Sequence, residues 1–196
     1  TALASLAATA EDITLGDVTT DGPQTYTATG TITLASTYTV NGVAAQADAI
    51  QFAGAVSLAD DATVAQNGGE EADDVVFTST IDGGQSLAIT AAGSGDVTLG
   101  GAAGGGTALA SLAATAEDIT LGDVTTDGPQ TYTATGTITL ASTYTVNGVG
   151  AQADAIQFAG AVSLADDATV AQNGGEEADD VVFTSTIDGG QSLAIT

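Results

Sequence analysis

The fold is decided by residues 75–132, which read VVFTSTIDGGQSLAITAAGSGDVTLGGAAGGGTALASLAATAEDITLGDVTTDGPQTY. A short figure opens this stretch and returns twice: a β-branched residue, any residue, then Leu or Phe. It begins at Val75, Val97 and Ile119, so successive starts are evenly spaced. A fixed period of about 20 residues with Gly-rich turns is typical of a coiled chain whose turns cover one another's apolar sides. The sequence therefore predicts a β-solenoid.

The whole chain is a tandem repeat. Residues 1–90 recur as residues 107–196 with one change, Ala44 against Gly150, so one full repeat is residues 1–106. The figure returns five times within this period, at similar though not equal intervals. These intervals fill the period without remainder and predict about five coils per repeat. The figure begins at Ile13, Ile32, Ile50, Val75, Val97, Ile119, Ile138, Ile156 and Val181.

Tandem immunoglobulin-like β-sandwiches are the alternative architecture, because a repeat of this length is also the size of one such domain. Residues 91–106 would then be a linker between two domains. This supposed linker carries Val97-Thr98-Leu99, in step with the rest of the chain, which favours the solenoid. We therefore expect an all-β fold, a parallel β-helix continuous over residues 1–196, with repeats 1–106 and 107–196, the second of them truncated.

The charge of the chain excludes several functions. The 25 Asp and Glu residues face no Lys, Arg or His, so the net charge is −25. Such a chain repels nucleic acid and anionic membrane surfaces. The absence of Cys excludes disulfides and thiol chemistry, and a Ser nucleophile would have no imidazole or amine to activate it. We therefore expect no nucleic-acid binding, no membrane insertion and no enzymatic activity.

The acids are densest in the longest coil of each repeat. Carboxylates in a flexible loop are ligands that Ca²⁺ prefers, although the spacing here does not match an EF-hand loop. Diffuse counterion binding is the alternative, because the chain offers no cationic side chain to its acids. The candidate metal ligands are Asp60, Asp61, Glu70, Glu71, Asp73 and Asp74, repeated as Asp166, Asp167, Glu176, Glu177, Asp179 and Asp180.

The order of the segments resembles one protein family. The chain contains, in sequence, IQFAGAV (50–56), VVFTSTIDGGQSLAIT (75–90), GSGDVTLGGAAGGGTALASLAATA (93–116) and VTTDGPQTYTATGTITL (124–140). In this it resembles the β-helical repeats of filamentous haemagglutinin-like exoproteins, which are large secreted bacterial adhesins. The resemblance implies a right-handed parallel β-helix, secretion to the bacterial cell surface, and attachment or a structural filament as the function. It implies no catalytic residue.

We accordingly expect a structural and adhesive segment of a long extracellular fibre or surface protein. Its expected partners are further copies of the same repeat, with which it would associate into fibres, and its acidic loops would bind counterions. The alternative function is a calcium-rigidified surface-layer or spacer protein of tandem β-sandwich domains. A solenoid would rise ~4.8 Å per coil, whereas sandwich domains would form separate beads.

Overall fold

The computed structural model describes residues 2–42, 49–68, 73–148, 155–174 and 180–196. Within these ranges the chain forms β-strands and no helix. The paired strands are parallel. They stack coil on coil as a β-solenoid, which confirms the predicted fold class.

Each coil has three sides, and the strands of successive coils pair on each side. Four long strands bend at a corner and contribute to two sides: β4 (Gln24–Leu34), β6 (Ile50–Leu58), β15 (Gln130–Leu140) and β17 (Ile156–Leu164). Side 1 also contains β1 (Leu6–Ala10), β8 (Val75–Phe77), β11 (Val97–Leu99), β13 (Ile119–Leu121) and β20 (Ile187–Asp188). Side 2 also contains β2 (Ile13–Thr14), β9 (Ile81–Asp82), β14 (Val124–Thr126), β16 (Thr143–Val146), β18 (Ala168–Gln172) and β21 (Leu193–Ile195). Side 3 also contains β3 (Val18–Thr20), β5 (Thr37–Val40), β7 (Ala62–Gln66), β10 (Ser86–Ala91), β12 (Ser111–Ala116) and β19 (Val181–Phe183).

The ladder on side 1 passes from the first repeat into the second without a break. Strand β11 pairs with β8 on one edge and with β13 on the other. Residues 91–106 are therefore not a linker between two sandwiches, and the sandwich alternative is wrong. Nine coils at ~4.8 Å make this ladder about 43 Å long. Its stacked residues are Leu6, Gln24, Ile50, Val75, Val97, Ile119, Ile138, Val162 and Ile187.

One repeat occupies four and two-thirds coils. Strands β1 and β12 share the sequence LAATA. We call one stretch of chain along one side a passage, so that three passages make one coil. From β1 up to β12 the chain makes 14 passages, which is 14/3 coils. This count includes Ala103, which bridges Ile81 and Val124 on side 2. The predicted number of about five coils is therefore close, but the repeat does not end on the side where it began. Strand β1 lies on side 1, and β12 lies on side 3.

The lost third of a coil lies between the figures at Ile32 and Ile50. Ile32 pairs with Val56 on side 2, whereas Ile50 lies on side 1 and pairs with Val75. From Ile32 to Ile50 the chain thus makes two passages along a side, whereas a whole coil needs three. The interval from Ile32 to Ile50 is similar in length to the other intervals between figures, so the missing side could not be recognised from the spacing. The reason is that both β4 and β6 turn their corner in mid-strand.

Apolar side chains fill the interior because they alternate with outward residues along each strand. Phe52 shows the packing most clearly: its ring is stacked between Tyr26 and Phe77, with centroids 5.2 and 4.7 Å away. All three rings are fully buried. Stacked aromatic pairs add about 0.5–1.5 kcal/mol beyond the burial of their area. The second repeat repeats this stack with Tyr132, Phe158 and Phe183, at 5.3 and 4.8 Å.

A buried glutamine in the Gln-Thr-Tyr triplet ties neighbouring coils together. The Gln24 amide accepts a hydrogen bond from the Tyr26 hydroxyl at 2.8 Å and donates one to the Thr39 carbonyl at 2.8 Å. Buried polar groups need such partners, since leaving one unpaired costs about 1–3 kcal/mol. The equivalent bonds join Gln130 to Tyr132 at 3.0 Å and to Thr145 at 2.8 Å.

Candidate functional site

Most of the acids that the structure describes lie at the corners of the rod. Asp82 and Asp188 are the only acids inside strands of the described chain, and the other described acids lie between strands. The outward positions of the strands carry mainly Thr, Ala and Ser. Neutral sides bordered by charged corners are therefore the main surface feature of this protein.

The corner aspartates cap the backbone of the following coil. In each case one carboxylate oxygen accepts a hydrogen bond from a backbone N–H about one coil later. Hydrogen bonds to a charged acceptor contribute about 1.5–3 kcal/mol when well shielded. Among the described residues nine aspartates cap ten amides, and the capped amides, with their N···O distances, are those of Thr31 (Asp12, 2.8 Å), Thr37 (Asp17, 3.0 Å), Ser86 (Asp61, 2.8 Å), Asp96 (Asp74, 2.9 Å), Gly106 and Thr107 (Asp82, 2.6 and 3.1 Å), Asp118 (Asp96, 2.9 Å), Thr137 (Asp118, 2.6 Å), Thr143 (Asp123, 2.9 Å) and Ser192 (Asp167, 2.8 Å).

Three of these caps form a continuous column at the junction of the two repeats. Asp74 caps Asp96, Asp96 caps Asp118, and Asp118 caps Thr137. The three aspartates are evenly spaced in sequence, with the same spacing as the figure at Val75, Val97 and Ile119. This coincidence of periods was the sequence signal for the capping role, and our sequence analysis missed it.

The predicted metal ligands fall at two different corners. Asp60 and Asp61 precede β7, whereas Asp73 and Asp74 follow it, and a strand of this length spans about 17 Å. Asp61 accepts its cap bond from Ser86, and Asp73 is fully buried. Within the described ranges no three acidic side chains come close enough to share a metal ion.

The second repeat places its described acids in the same way, with Asp166 and Asp167 before β18 and Asp180 before β19. Asp167 repeats the cap of Asp61. Calcium binding by the candidate acids stays a prediction, and five of them fall outside the part of the chain that the structure describes. These five acids are Glu70, Glu71, Glu176, Glu177 and Asp179.

Hydrogen bonding and burial shift the pKa values of a few groups. The Ser36 hydroxyl, 2.6 Å away, and the Thr37 amide lower the pKa of the Asp17 carboxyl, because both stabilise its charged form. Burial raises the pKa of Tyr144 to about 12, and it also raises the pKa of Tyr132. The tyrosine hydroxyls are thus held neutral as interior donors.

Comparison with protein-family models, with curated proteins and with solved structures finds no significant match to this chain. In the part of the chain that the structure describes, no helix is long and apolar enough to cross a membrane.

Proposed function

We propose that this chain is a stiff structural and adhesive segment of a long extracellular bacterial fibre or surface protein, without catalytic activity. The observation that carries the proposal is the ladder on side 1, which continues from β8 through β11 to β13 across the junction of the repeats. Because neighbouring coils share backbone hydrogen bonds, each added repeat lengthens the same rod instead of adding a separate bead.

The distribution of charge supports a role outside the cell as a solvated filament. Twenty-five negative charges over about 43 Å amount to about one per 1.7 Å, close to the axial density of duplex DNA. Counterions must therefore accompany the rod. The neutral sides leave Thr hydroxyls and Ala methyls free for contact with a ligand or a surface, while the charged corners keep neighbouring rods apart.

Electron microscopy of chains lengthened by one to three further copies of residues 1–106 tests the rod directly. We expect the length to grow by about 22 Å per repeat, since 14/3 coils each rise ~4.8 Å, at a constant diameter. A string of beads, or particles that grow in diameter, would contradict the proposal. Antibody labelling of intact and of permeabilised cells tests the location: we expect labelling of intact cells, and labelling only after permeabilisation would exclude a surface fibre.

The adhesive part of the proposal needs its own measurement. Beads coated with the chain should attach to a cell or matrix surface more than beads coated with a denatured control, and soluble chain should compete. Equal attachment of the two kinds of bead would reduce the function to a structural one.

A further inference from the structure

Every asparagine of this chain precedes a glycine. Each pair directly follows the last residue of a strand, β5, β7, β16 or β18, where the chain turns a corner. All four asparagines are exposed. The pairs are Asn41-Gly42, Asn67-Gly68, Asn147-Gly148 and Asn173-Gly174.

The packing of the coils explains why glycine follows asparagine at such a corner. Gly148 has a φ of +61°, a conformation that favours glycine. A Cβ at this position would also lie 2.6 Å from the Cα of Gly174 on the next coil. The fold thus keeps the glycine, although a residue without a side chain leaves the preceding asparagine unshielded.

An aspartate occupies the same corner one coil below these asparagines. Asp127 precedes Gly128 at the end of β14, and the Asn147 amide donates a hydrogen bond from Nδ2 to its carboxylate at 3.0 Å. In the first repeat the Asn67 amide instead reaches Oδ1 of Asn41, at 3.4 Å. Because Asp-Gly and Asn-Gly share one corner, the fold accepts an aspartate where an asparagine stands.

We propose that the Asn-Gly corners are sites of spontaneous deamidation, and that Asp127 delays this reaction at Asn147. The Gly148 nitrogen gives its proton to water and bonds to Cγ of Asn147. The bond from Cγ to Nδ2 breaks, and Nδ2 takes up a proton and leaves as ammonia. Water then opens the resulting cyclic imide at either carbonyl, which leaves aspartate or isoaspartate.

Asp127 acts as a positioning residue in two ways. Its charged hydrogen bond holds the Asn147 side chain, so that bond must break before Cγ can approach the glycine nitrogen. The attacking nitrogen also carries negative charge, which a neighbouring carboxylate repels. Asn41 is held less firmly, because its bond to Asn67 is neutral and long. Among the described residues no hydrogen bond joins Asn41 to Asp21, the aspartate below it.

Deamidation changes the corner at which it occurs. At Asn147 it replaces the donor to Asp127 with a second carboxylate, so attraction between the two coils becomes repulsion. Isoaspartate also lengthens the backbone and disturbs the register of its coil. With all four asparagines converted, the charge of −25 gains four and becomes −29. The rod therefore becomes more negative and loses corner contacts with age.

Mass spectrometry of the folded chain during incubation at mildly alkaline pH tests the proposal. Digestion at acidic residues separates the Asn41 peptide from the Asn147 peptide, because Ala44 and Gly150 give them different masses. We expect both sites to deamidate, with Asn147 about tenfold slower, the low end of the effect of a hydrogen bond to a charged group. In urea the two rates should become equal, since the flanking sequences match up to that one difference.

A variant isolates the effect of the aspartate. Asp127→Ala should raise the rate at Asn147 about tenfold and leave the rate at Asn41 in the same molecule unchanged. Asp123→Ala is the matched control, because it removes an equal charge and the cap on Thr143 at the other end of β14. It should leave both rates unchanged.

The proposal fails if neither asparagine deamidates in the folded chain under conditions in which the unfolded chain reacts. Equal rates at Asn41 and Asn147 in the folded chain would remove the role of Asp127, as would an Asp127→Ala variant that leaves Asn147 unchanged. Circular dichroism shows whether each variant is folded. If Asp127→Ala does not fold, the comparison of the two sites in the unchanged chain still decides the question.

Discussion

Strands β4 and β15 have the same sequence and the same burial pattern, but they lie on different sides of the rod. Strand β4 turns from side 1 to side 2, and β15 turns from side 3 to side 1. Each pairs with its next neighbour in the same register and shifts that register at the same corner. Local sequence therefore specifies the corner and the neighbours above and below, whereas the side depends on how many passages came before.

This rule has a consequence for any longer array of the repeat. Each repeat advances the chain by 14 passages, so the next copy is rotated by two-thirds of a turn. Three repeats, or 14 whole coils, return a residue to its original side after about 67 Å at ~4.8 Å per coil. Identical acidic corners thus face three directions in succession.

Disulfide trapping is the most direct test of the register that β4 and β15 share on their different sides, since a cross-link either forms or does not. Thr33 pairs with Ser57 in the first repeat, and Thr139 pairs with Ser163 in the second. Paired outward positions about 4.8 Å apart fall within the roughly 4.4–6.8 Å range of disulfide Cα atoms. Cysteines at either pair should oxidise almost completely, as measured by gel mobility without reductant.

The control pair is Thr33 with Gln51, which would be neighbours if five whole coils closed the repeat. It lies on two different sides and should not cross-link. Because the chain has no other Cys, each product is unambiguous. Efficient cross-linking of Thr33 to Gln51 would restore the five-coil register and remove the rotation.

Truncation of the central aromatic ring should produce the largest loss of stability. Phe52→Ala leaves a cavity between two fully buried rings and should cost about 3–5 kcal/mol in urea denaturation. Phe158→Ala should cost less, because Phe183 above it is only half-buried near the end of the rod. Phe→Leu at both positions is the control, with an expected loss below about 1.5 kcal/mol. Equal losses in the two Ala variants would show that the end coils are as well packed as the middle.

Sequence reasoning predicted the architecture because a solenoid repeats its inward residues at a regular interval. Val75, Val97 and Ile119 stack as the figure predicted. The position of Ile50 was not predictable in this way, since a strand that bends in mid-course leaves no Pro or Gly-Gly signal at its corner. A tight approach marks the bend instead: a Cβ at Gly54 would lie 2.7 Å from the Ala28 carbonyl.

For the acids, the sequence led to a different chemistry from the hydrogen bonding that the structure shows for two of them. Asp61 and Asp74 attracted attention as members of an acidic window, and metal binding was the chemistry that such a window suggests. Their observed role is to cap amides about one coil later, at Ser86 and Asp96. The acids stand close to one another in the sequence, which drew attention to contacts among themselves. Each cap instead joins an aspartate to a backbone amide of the next coil, which lies outside the acidic segment.

Alkaline titration compares the buried tyrosines of the two repeats. Burial raises the pKa of Tyr38 in the first repeat, and it raises the pKa of Tyr144 in the second to about 12, against about 10 in an unfolded chain. Their stabilisation is complete below about pH 10 and is lost as the pH rises through the folded pKa. Phenolate absorbance and loss of β-sheet circular dichroism should therefore appear together above about pH 10. Phenolate that forms near pH 10 in an intact fold would show that these hydroxyls reach solvent.

Removal of a corner cap should have the smallest effect, and the two repeats provide a matched pair. Asp118 caps Thr137 in the middle of the rod, whereas Asp12, in the first described coil, caps Thr31 of β4. Replacement by Ala also removes one negative charge, which by itself relieves repulsion, so Glu117→Ala is the charge-matched reference.

Relative to Glu117→Ala, Asp118→Ala should lose about 1 kcal/mol of unfolding free energy, because the Thr137 amide loses its charged acceptor. Asp12→Ala should lose less, because Asp118 is itself held by the cap from Asp96 to its amide, whereas Asp12 is the first cap of its corner among the described residues. Both values come from urea denaturation at one salt concentration. If Asp118→Ala were no less stable than Glu117→Ala, the corner aspartates would act only as charges and the capping column would carry no stability.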